Sequence, residues 1–188
     1  TLESLTIGLS FEKQFAATKK HYNKDVSQID PRWQMVHLSR LAAAQRLSEL
    51  TIGYPYNIAL AHSTQEPQFI ELLQRLRKLS FDATGAENFG WMTDNDLQLL
   101  APHLGNLQAF ILAGHPNITD DGIFHLREMP KLTTLDLRFC KHVTPQGIAR
   151  LKAAAPHIRY IMTQWSPQPS FIEKHLPFVR KALSFVGL

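Results

Sequence analysis

The sequence predicts an α/β fold in which one unit of strand, turn and helix recurs along the chain. Two observations predict it: the template L-x-x-L-x-L occurs six times, and after each copy the apolar residues change from alternating to helical spacing. Such a unit cannot bury its apolar edge alone, so neighbouring copies must stack. We therefore expect a right-handed solenoid with about six short parallel strands on its concave face, helices on its convex face and helical ends.

The six copies of the template are unequally spaced. They start at residues 2, 47, 76, 107, 132 and 158, so the steps between them are 45, 29, 31, 25 and 26 residues. The clearest copy is Leu132-x-x-Leu135-x-Leu137. The last copies are therefore regular, and the first carries a long insertion.

The turns between strand and helix have a shared chemistry. Thr144 precedes Pro145, an arrangement typical of a helix N-cap followed by proline at the first helical position. Thr119-Asp120 and Thr93-Asp94 repeat the pattern with an acidic residue in the first turn, where the helix dipole favours negative charge. These three copies are thus predicted to contain a helix that begins at a threonine.

The segment LTTLDLRFCKHVTPQGI, residues 132–148, resembles the cysteine-containing, ribonuclease-inhibitor-like class of leucine-rich repeat. This class is familiar from F-box substrate receptors and from small mitochondrial proteins similar to ATP synthase coupling factor B and to distal-membrane-arm assembly factors of respiratory complex I. The resemblance is close over residues 107–165 and looser before them. His115 stands where the best copy has Cys140. The resemblance implies a leucine-rich-repeat fold that binds other proteins.

The domain organisation follows from where the repeats are interrupted. Residues 1–165 are predicted to form the solenoid, with a helical insertion at 11–46 that either caps the first repeat or docks a partner. Residues 166–188 follow a Ser-Pro-Gln-Pro break and place apolar residues on one helix face. They are predicted to be a C-terminal capping helix or helices, and a role in partner binding remains open.

Composition and charge restrict the class of protein. The chain has 188 residues, of which 44% are hydrophobic and 19% charged, and no apolar run approaches the ~20 residues of a membrane span. The single Cys140 allows no internal disulfide, so we expect an intracellular protein, either mitochondrial or cytoplasmic. Residues 1–81 contain ten Lys and Arg against seven Asp and Glu, residues 82–123 contain none against six, and residues 124–188 contain ten against three. These alternating blocks favour a protein partner over nucleic acid.

The residues that carry chemistry do not form a recognisable catalytic or metal-binding motif. Cys140-x-His142 is half of a zinc pair without a second cluster at ligand spacing, and the phosphate-loop and nucleophile-elbow motifs do not occur. The acidic pairs Asp94/Asp96 and Asp120/Asp121 are expected to cap helix starts. We therefore expect no enzyme activity, no metal and no cofactor.

The candidate binding residues lie on or beside the predicted strands near the C-terminal end. Strand positions that alternate with the buried leucines present side chains on a rigid face. An apolar floor beside arginine and aromatic side chains is typical of protein-interface hot spots. The predicted partner-binding residues are Ile111, Asp136, Arg138, Phe139, Tyr160 and Trp165. Packing of Phe139 and Trp165 into the solenoid is the alternative.

These observations predict a non-catalytic protein–protein interaction module that serves as scaffold or complex subunit. The first interpretation is an accessory or assembly subunit of a larger, mitochondrial complex. The alternative that the resemblance implies is the substrate-recognition region of a cullin-type ubiquitin ligase receptor. An F-box segment upstream of Thr1 would favour the ligase, and an Arg- and Ser-rich presequence would favour the mitochondrial complex.

Overall fold

The computed structural model describes residues 3–7, 38–53, 64–83 and 91–164 of the chain. Within them, six strands form one parallel sheet whose strand order follows the chain. The strands are β1 Ser4–Ile7, β2 Glu49–Gly53, β3 Lys78–Asp82, β4 Ala109–Ile111, β5 Thr134–Asp136 and β6 Tyr160–Met162. Every strand starts two residues after the start of a template copy, so the six predicted strands and their parallel pairing are confirmed.

The register of the sheet follows the repeat. The second leucine of the template, or the residue in its place, pairs with its counterpart in the next strand along the whole sheet. These residues are Leu5, Leu50, Leu79, Phe110, Leu135 and Ile161. Because side chains alternate between the two faces of a strand, this register puts all the template residues on one face.

Four α-helices lie between the strands of the described residues: α1 Pro67–Arg75, α2 Asp94–Leu100, α3 Asp120–Phe124 and α4 Pro145–Ala154. Short 3-10 helices follow α2 and α3 at Ala101–His103 and His125–Glu128. Thr93, Thr119 and Thr144 are the N-caps of α2, α3 and α4, as the sequence predicts. The helical segment that begins with α3 changes from α to 3-10 geometry at His125.

The core lies between the sheet and the helices. The template residues of the strands and the apolar residues of the helices belong to one hydrophobic cluster. Leu50, Leu79, Phe110 and Leu135 of the sheet are buried there with Leu97 of α2. Full burial of each such side chain contributes about 1.5–3 kcal/mol, so stacking of successive repeats is the main source of stability.

The predicted terminal and inserted helices fall mostly outside the described residues. All of the 166–188 cap and most of the 11–46 insertion lie there. The described end of the insertion is a 3-10 helix at Leu38–Ala43, and Leu41 packs against the core. Within the described part of the chain, none of the helices has the length and apolar composition that a membrane span requires.

Candidate protein-binding site

The sheet brings together strand residues that the sequence places about 25 residues apart. Ile111 of β4, Asp136 of β5 and Met162 of β6 are direct neighbours in register, and Thr134 lies beside Tyr160. These five residues alternate with the core-facing residues of their strands. We call the face of β4–β6 that carries them the front face. Ile111, Asp136 and Tyr160 therefore lie on one face of the sheet, where Asp136, Thr134 and Met162 are buried.

Asp136 and Arg138 form an ion pair on the front face. The Asp136 carboxylate accepts from Arg138 Nε at 3.0 and 3.1 Å, from Nη2 at 2.7 Å and from the backbone N–H at 3.0 Å. Asp136 is 2% exposed, whereas the Arg138 side chain is 29% exposed. Two-pronged bonds of this kind fix the plane of the guanidinium. Asp136 thus acts as a support that positions Arg138, and the exposed part of the pair is cationic.

Phe139 follows the ion pair with an unusual backbone. It has φ of 64°, in the left-handed region, and its side chain is 57% exposed. The equivalent position of the preceding repeat is Gly114, with φ of 85°. A residue other than glycine pays roughly 1–2 kcal/mol for this conformation because its Cβ approaches the following carbonyl oxygen. The chain therefore keeps a large aromatic side chain in solvent at a position where glycine fits better.

Tyr160 supplies the second exposed aromatic side chain. It is 42% exposed, and with Phe139 it makes up the exposed large hydrophobic residues of the described segments. Phe139 lies five residues after Thr134, the strand partner of Tyr160, so the two aromatic positions lie on either side of the ion pair along the repeat. Ile111 is half-buried beside Asp136. Trp165 lies outside the described residues, and its predicted role stays a prediction.

Beneath the loops that follow β4 and β5, equivalent positions hold His115 and Cys140. Cys140 Sγ donates to the Leu112 carbonyl at 3.1 Å. His115 Nε2 lies 2.9 Å from the equivalent carbonyl, that of Phe81, while Nδ1 accepts from the Met92 N–H at 3.3 Å. Because a carbonyl can only accept, these contacts assign the proton of a neutral His115 to Nε2. Each side chain therefore ties its turn to the preceding strand.

Burial shifts the acidity of both groups. Desolvation lowers the pKa of His115 from 6.5 to about 4, against the opposing effect of its bond to Phe81. Desolvation likewise raises the pKa of the Cys140 thiol from 9.0 to about 11. Both groups are therefore neutral at physiological pH. Cys140 is a free, buried cysteine.

A ladder of aspartates at the helix starts is a feature that sequence reasoning missed. Asp94 accepts from the N–H and hydroxyl of Thr119 at 2.8 and 2.6 Å. Asp120 accepts from the same groups of Thr144 at 2.7 and 2.6 Å. The sequence predicts that the acidic pairs cap their own helix starts. Asp96 does so in a capping box with Thr93, whereas Asp94 and Asp120 bind the N-cap threonine of the next repeat. The recurrence of Thr-Asp about 25 residues apart is the signal that could have revealed this.

Metal binding has no support among the residues that the structure describes, since they contain no group of three or more potential ligands. The two residues of the half zinc pair, Cys140 and His142, also differ in their exposure to solvent. Cys140 is buried, whereas the side chain of His142 is exposed. Asp94 and Asp120 are engaged by their threonines.

Comparison with known proteins identifies no family. No family model matches this chain, and a search of curated proteins also found no match. Among solved structures, an internalin from Listeria monocytogenes is similar at 17% identity with a TM-score of 0.38. The similarity covers 69% of this chain and 38% of the internalin chain. The described residues define an α/β protein with one parallel sheet built from sequence repeats, and its function is argued from its own side chains.

Proposed function

We propose that this chain is a non-catalytic protein-interaction module whose front face binds a partner protein. The observation that carries the proposal is Phe139, an exposed phenylalanine in a left-handed backbone where the preceding repeat has Gly114. An unfavourable backbone combined with an exposed aromatic ring points to a function outside the fold. Aromatic and arginine side chains are also the commonest hot spots of protein interfaces.

The proposal includes a right-handed leucine-rich-repeat solenoid with the front face on its concave side. Three features support it: the constant two-residue offset between template and strand, the in-register parallel sheet and the Asp–Thr ladder between successive helices. A right-handed crossover is the rule for parallel strands joined by helices.

The rigidity of the front face supports binding. The Asp136 bonds hold the Arg138 guanidinium in one orientation, and short paired strands hold Ile111 and Tyr160. Preordered side chains lose little entropy when a partner docks, so more of the contact energy appears as affinity. Phe139, Tyr160 and Arg138 are proposed to contact the partner, with Ile111 as the apolar floor.

Three chemically reactive groups of the described residues have structural roles, which supports a role without catalysis. His115 and Cys140 bind strand carbonyls, and Asp136 binds Arg138. A general base or nucleophile must face its substrate. His115 and Cys140 instead face the interior of the fold, and Asp136 on the front face is only 2% exposed.

We extend the proposal to an accessory or assembly subunit of a larger intracellular complex, mitochondrial or cytoplasmic. The resemblance of residues 132–148 to repeats of mitochondrial assembly proteins supports this extension. The assembly-subunit proposal concerns the whole complex, whereas the front-face proposal concerns this chain alone. The two are tested together by isolating the partner.

The test compares three variants in a pull-down from native extract, followed by affinity measurement with the purified partner. Phe139→Gly and Tyr160→Ala should each weaken binding by roughly thirtyfold, which corresponds to about 2 kcal/mol for a hot spot. Lys152→Ala, on the exposed side of α4, should bind like wild type. Unchanged affinity in both aromatic variants, with intact folding, would refute the proposed face. Recovery of a cullin adaptor would favour the ligase receptor over the assembly subunit.

A further inference from the structure

The loop that joins β5 to α4 presents an aromatic ring beside a lysine and a histidine. Phe139, Lys141 and His142 are all exposed, whereas Cys140 between them is buried. Consecutive Cα atoms lie about 3.8 Å apart, so the Cα atoms of Phe139 and Lys141 are within about 7.6 Å. The loop 138–142 therefore forms one small surface with an apolar centre and a basic border.

The two charged side chains of this loop differ within the described residues, since Arg138 is paired with Asp136 and Lys141 is not paired. The Lys141 ammonium makes no hydrogen bond or ion pair there, whereas the Asp136 carboxylate is already bound by Arg138. The other nearby carboxylate, Asp120, accepts from both the N–H and the hydroxyl of Thr144. Asp136 and Asp120 are thus bound to other residues, and the positive charge of Lys141 is available to a partner.

The repeats around the loop share this positive balance. Residues 124–164 contain seven Lys and Arg against two Asp and Glu. The two acidic residues, Glu128 and Asp136, are both ion-paired. Complementary charge guides association and selects among partners. A surface of this composition fits a partner segment rich in aspartate and glutamate.

Three other cations of the same repeats are engaged by other side chains, which distinguishes this surface from a nucleic-acid groove. Arg150 and Arg127 both stack on the Phe124 ring, with guanidinium carbons 3.8 and 4.2 Å from its centroid. Lys131 binds Asn106 and precedes β5, whereas Lys141 follows it. Binding a phosphate backbone requires cations along a continuous path. The loop offers instead one local basic site beside an aromatic ring.

We propose that loop 138–142 binds an acidic segment of the partner protein, with Phe139 packed against an apolar residue and Lys141 and His142 facing its carboxylates. This inference rests on the proposed function, because it names the chemistry of the partner at one end of the front face. The acidic segment would also contact Arg138 at the start of the loop, where Asp136 fixes the guanidinium.

The test measures fluorescence anisotropy of labelled probes with the full chain. The probes are a short Glu-rich peptide containing leucine, the same peptide with Lys in place of Glu, and an oligothymidylate of equal length. The acidic peptide should bind, and more weakly as NaCl rises from about 50 to about 200 mM. Lys141→Glu should weaken its binding about tenfold or more, and Phe139→Gly should weaken it too. The matched control Lys152→Glu should change it less than about twofold.

Three results would overturn the inference: no binding of the acidic peptide, an equal effect of Lys141→Glu and Lys152→Glu, or tighter binding of the oligothymidylate than of the acidic peptide. The proposed function fails separately. If Phe139→Gly and Tyr160→Ala lose the purified partner while Lys141→Glu retains it, the front face is correct and the acidic segment is wrong. Circular dichroism of each variant checks that the fold is intact.

Discussion

Phe139 combines an unfavourable backbone conformation with a side chain that is mostly exposed. Its φ of 64° suits the glycine that the preceding repeat has, and its ring lies mostly in solvent. Burial therefore offsets little of the roughly 1–2 kcal/mol that the left-handed backbone costs a residue with a Cβ. A residue that destabilises the fold and contacts little of it is best explained by what it binds.

This view predicts that Phe139→Gly leaves stability unchanged or raises it by up to about 1 kcal/mol. Relief of the backbone cost is partly offset by the greater chain entropy that glycine has in the unfolded state. Urea unfolding at neutral pH measures the change. The control Phe110→Ala, at a fully buried position, should lose about 3–5 kcal/mol. A loss above about 2 kcal/mol for Phe139→Gly would indicate that the ring packs within the fold instead.

His115 makes stability depend on pH. Its pKa is about 4 in the folded protein and 6.5 in the unfolded chain. As pH falls from 6.5 to 4, the unfolded chain binds a proton that the folded protein does not, so stability decreases by roughly 3 kcal/mol. Below pH 4 both states are protonated, and this contribution is exhausted.

The measurement is urea unfolding of the wild type and His115→Cys from pH 7.5 to pH 4. Cysteine is the residue that the next repeat has in this position, and it carries no charge in this range. The difference in stability between the two proteins should shift in favour of His115→Cys as pH falls. Parallel profiles would show that His115 is not the titrating group.

At the scale of the elements, the Asp–Thr ladder couples neighbouring helices. The Thr144 hydroxyl donates to Asp120 and accepts from Gly147 N–H, so one side chain both caps α4 and binds α3. A Cβ on Gly147 would lie 2.0 Å from Asp120 Oδ1, which explains the glycine in the first turn. At the helix start equivalent to Asp94 and Asp120, α4 has Pro145. α4 therefore has no carboxylate there to extend the ladder.

The ladder predicts a specific non-additivity. Gly147→Ala should destabilise by about 2 kcal/mol because its Cβ displaces the Asp120 carboxylate, and Asp120→Ala by about 1–3 kcal/mol because Thr144 loses its acceptor. The double variant should cost less than the sum by about 1 kcal/mol or more, since the clash disappears with the carboxylate. Gly105→Ala, where an added Cβ meets nothing within 4 Å, is the matched control. Additive effects would contradict the contact.

At the scale of the whole molecule, stability comes from stacking repeats rather than from a closed core. Each strand pairs with its sequence neighbours, and the buried template side chains belong to one hydrophobic cluster. A fold of this kind opens by separating neighbours, and its interior groups report the opening. Cys140 is such a group, since it is buried beneath the loop after β5.

The Cys140 thiol is expected to react with a thiol reagent only through opening of the fold. Burial raises its pKa to about 11, so little thiolate is present at pH 8, and the sulfur is shielded. Labelling should be at least about a thousandfold slower than that of a free cysteine, which corresponds to an opening free energy of about 4 kcal/mol. Urea should accelerate it in parallel with unfolding. Rapid labelling of the folded chain would refute the burial of Cys140.

The strands, their order and the helix caps could be read from the sequence because they depend on local periodicity. Leu132, Leu135 and Leu137 mark β5 by spacing alone, and Thr144-Pro145 marks the start of α4. The candidate binding surface could be predicted only in part from this periodicity. Ile111, Asp136 and Tyr160 could be placed on one face by alternation, but their exposure could not, because it depends on what the neighbouring strands carry.

The sequence by itself determined a parallel α/β repeat protein with six strands at known positions, since the repeat period and the alternation of side chains are properties of the chain. The tertiary structure decided which of those side chains are available. It buried Asp136 against Arg138, placed Phe139 in a left-handed backbone and joined Asp94 to Thr119. These arrangements depend on distances between repeats, and stacking fixes such distances only when the whole sheet is assembled.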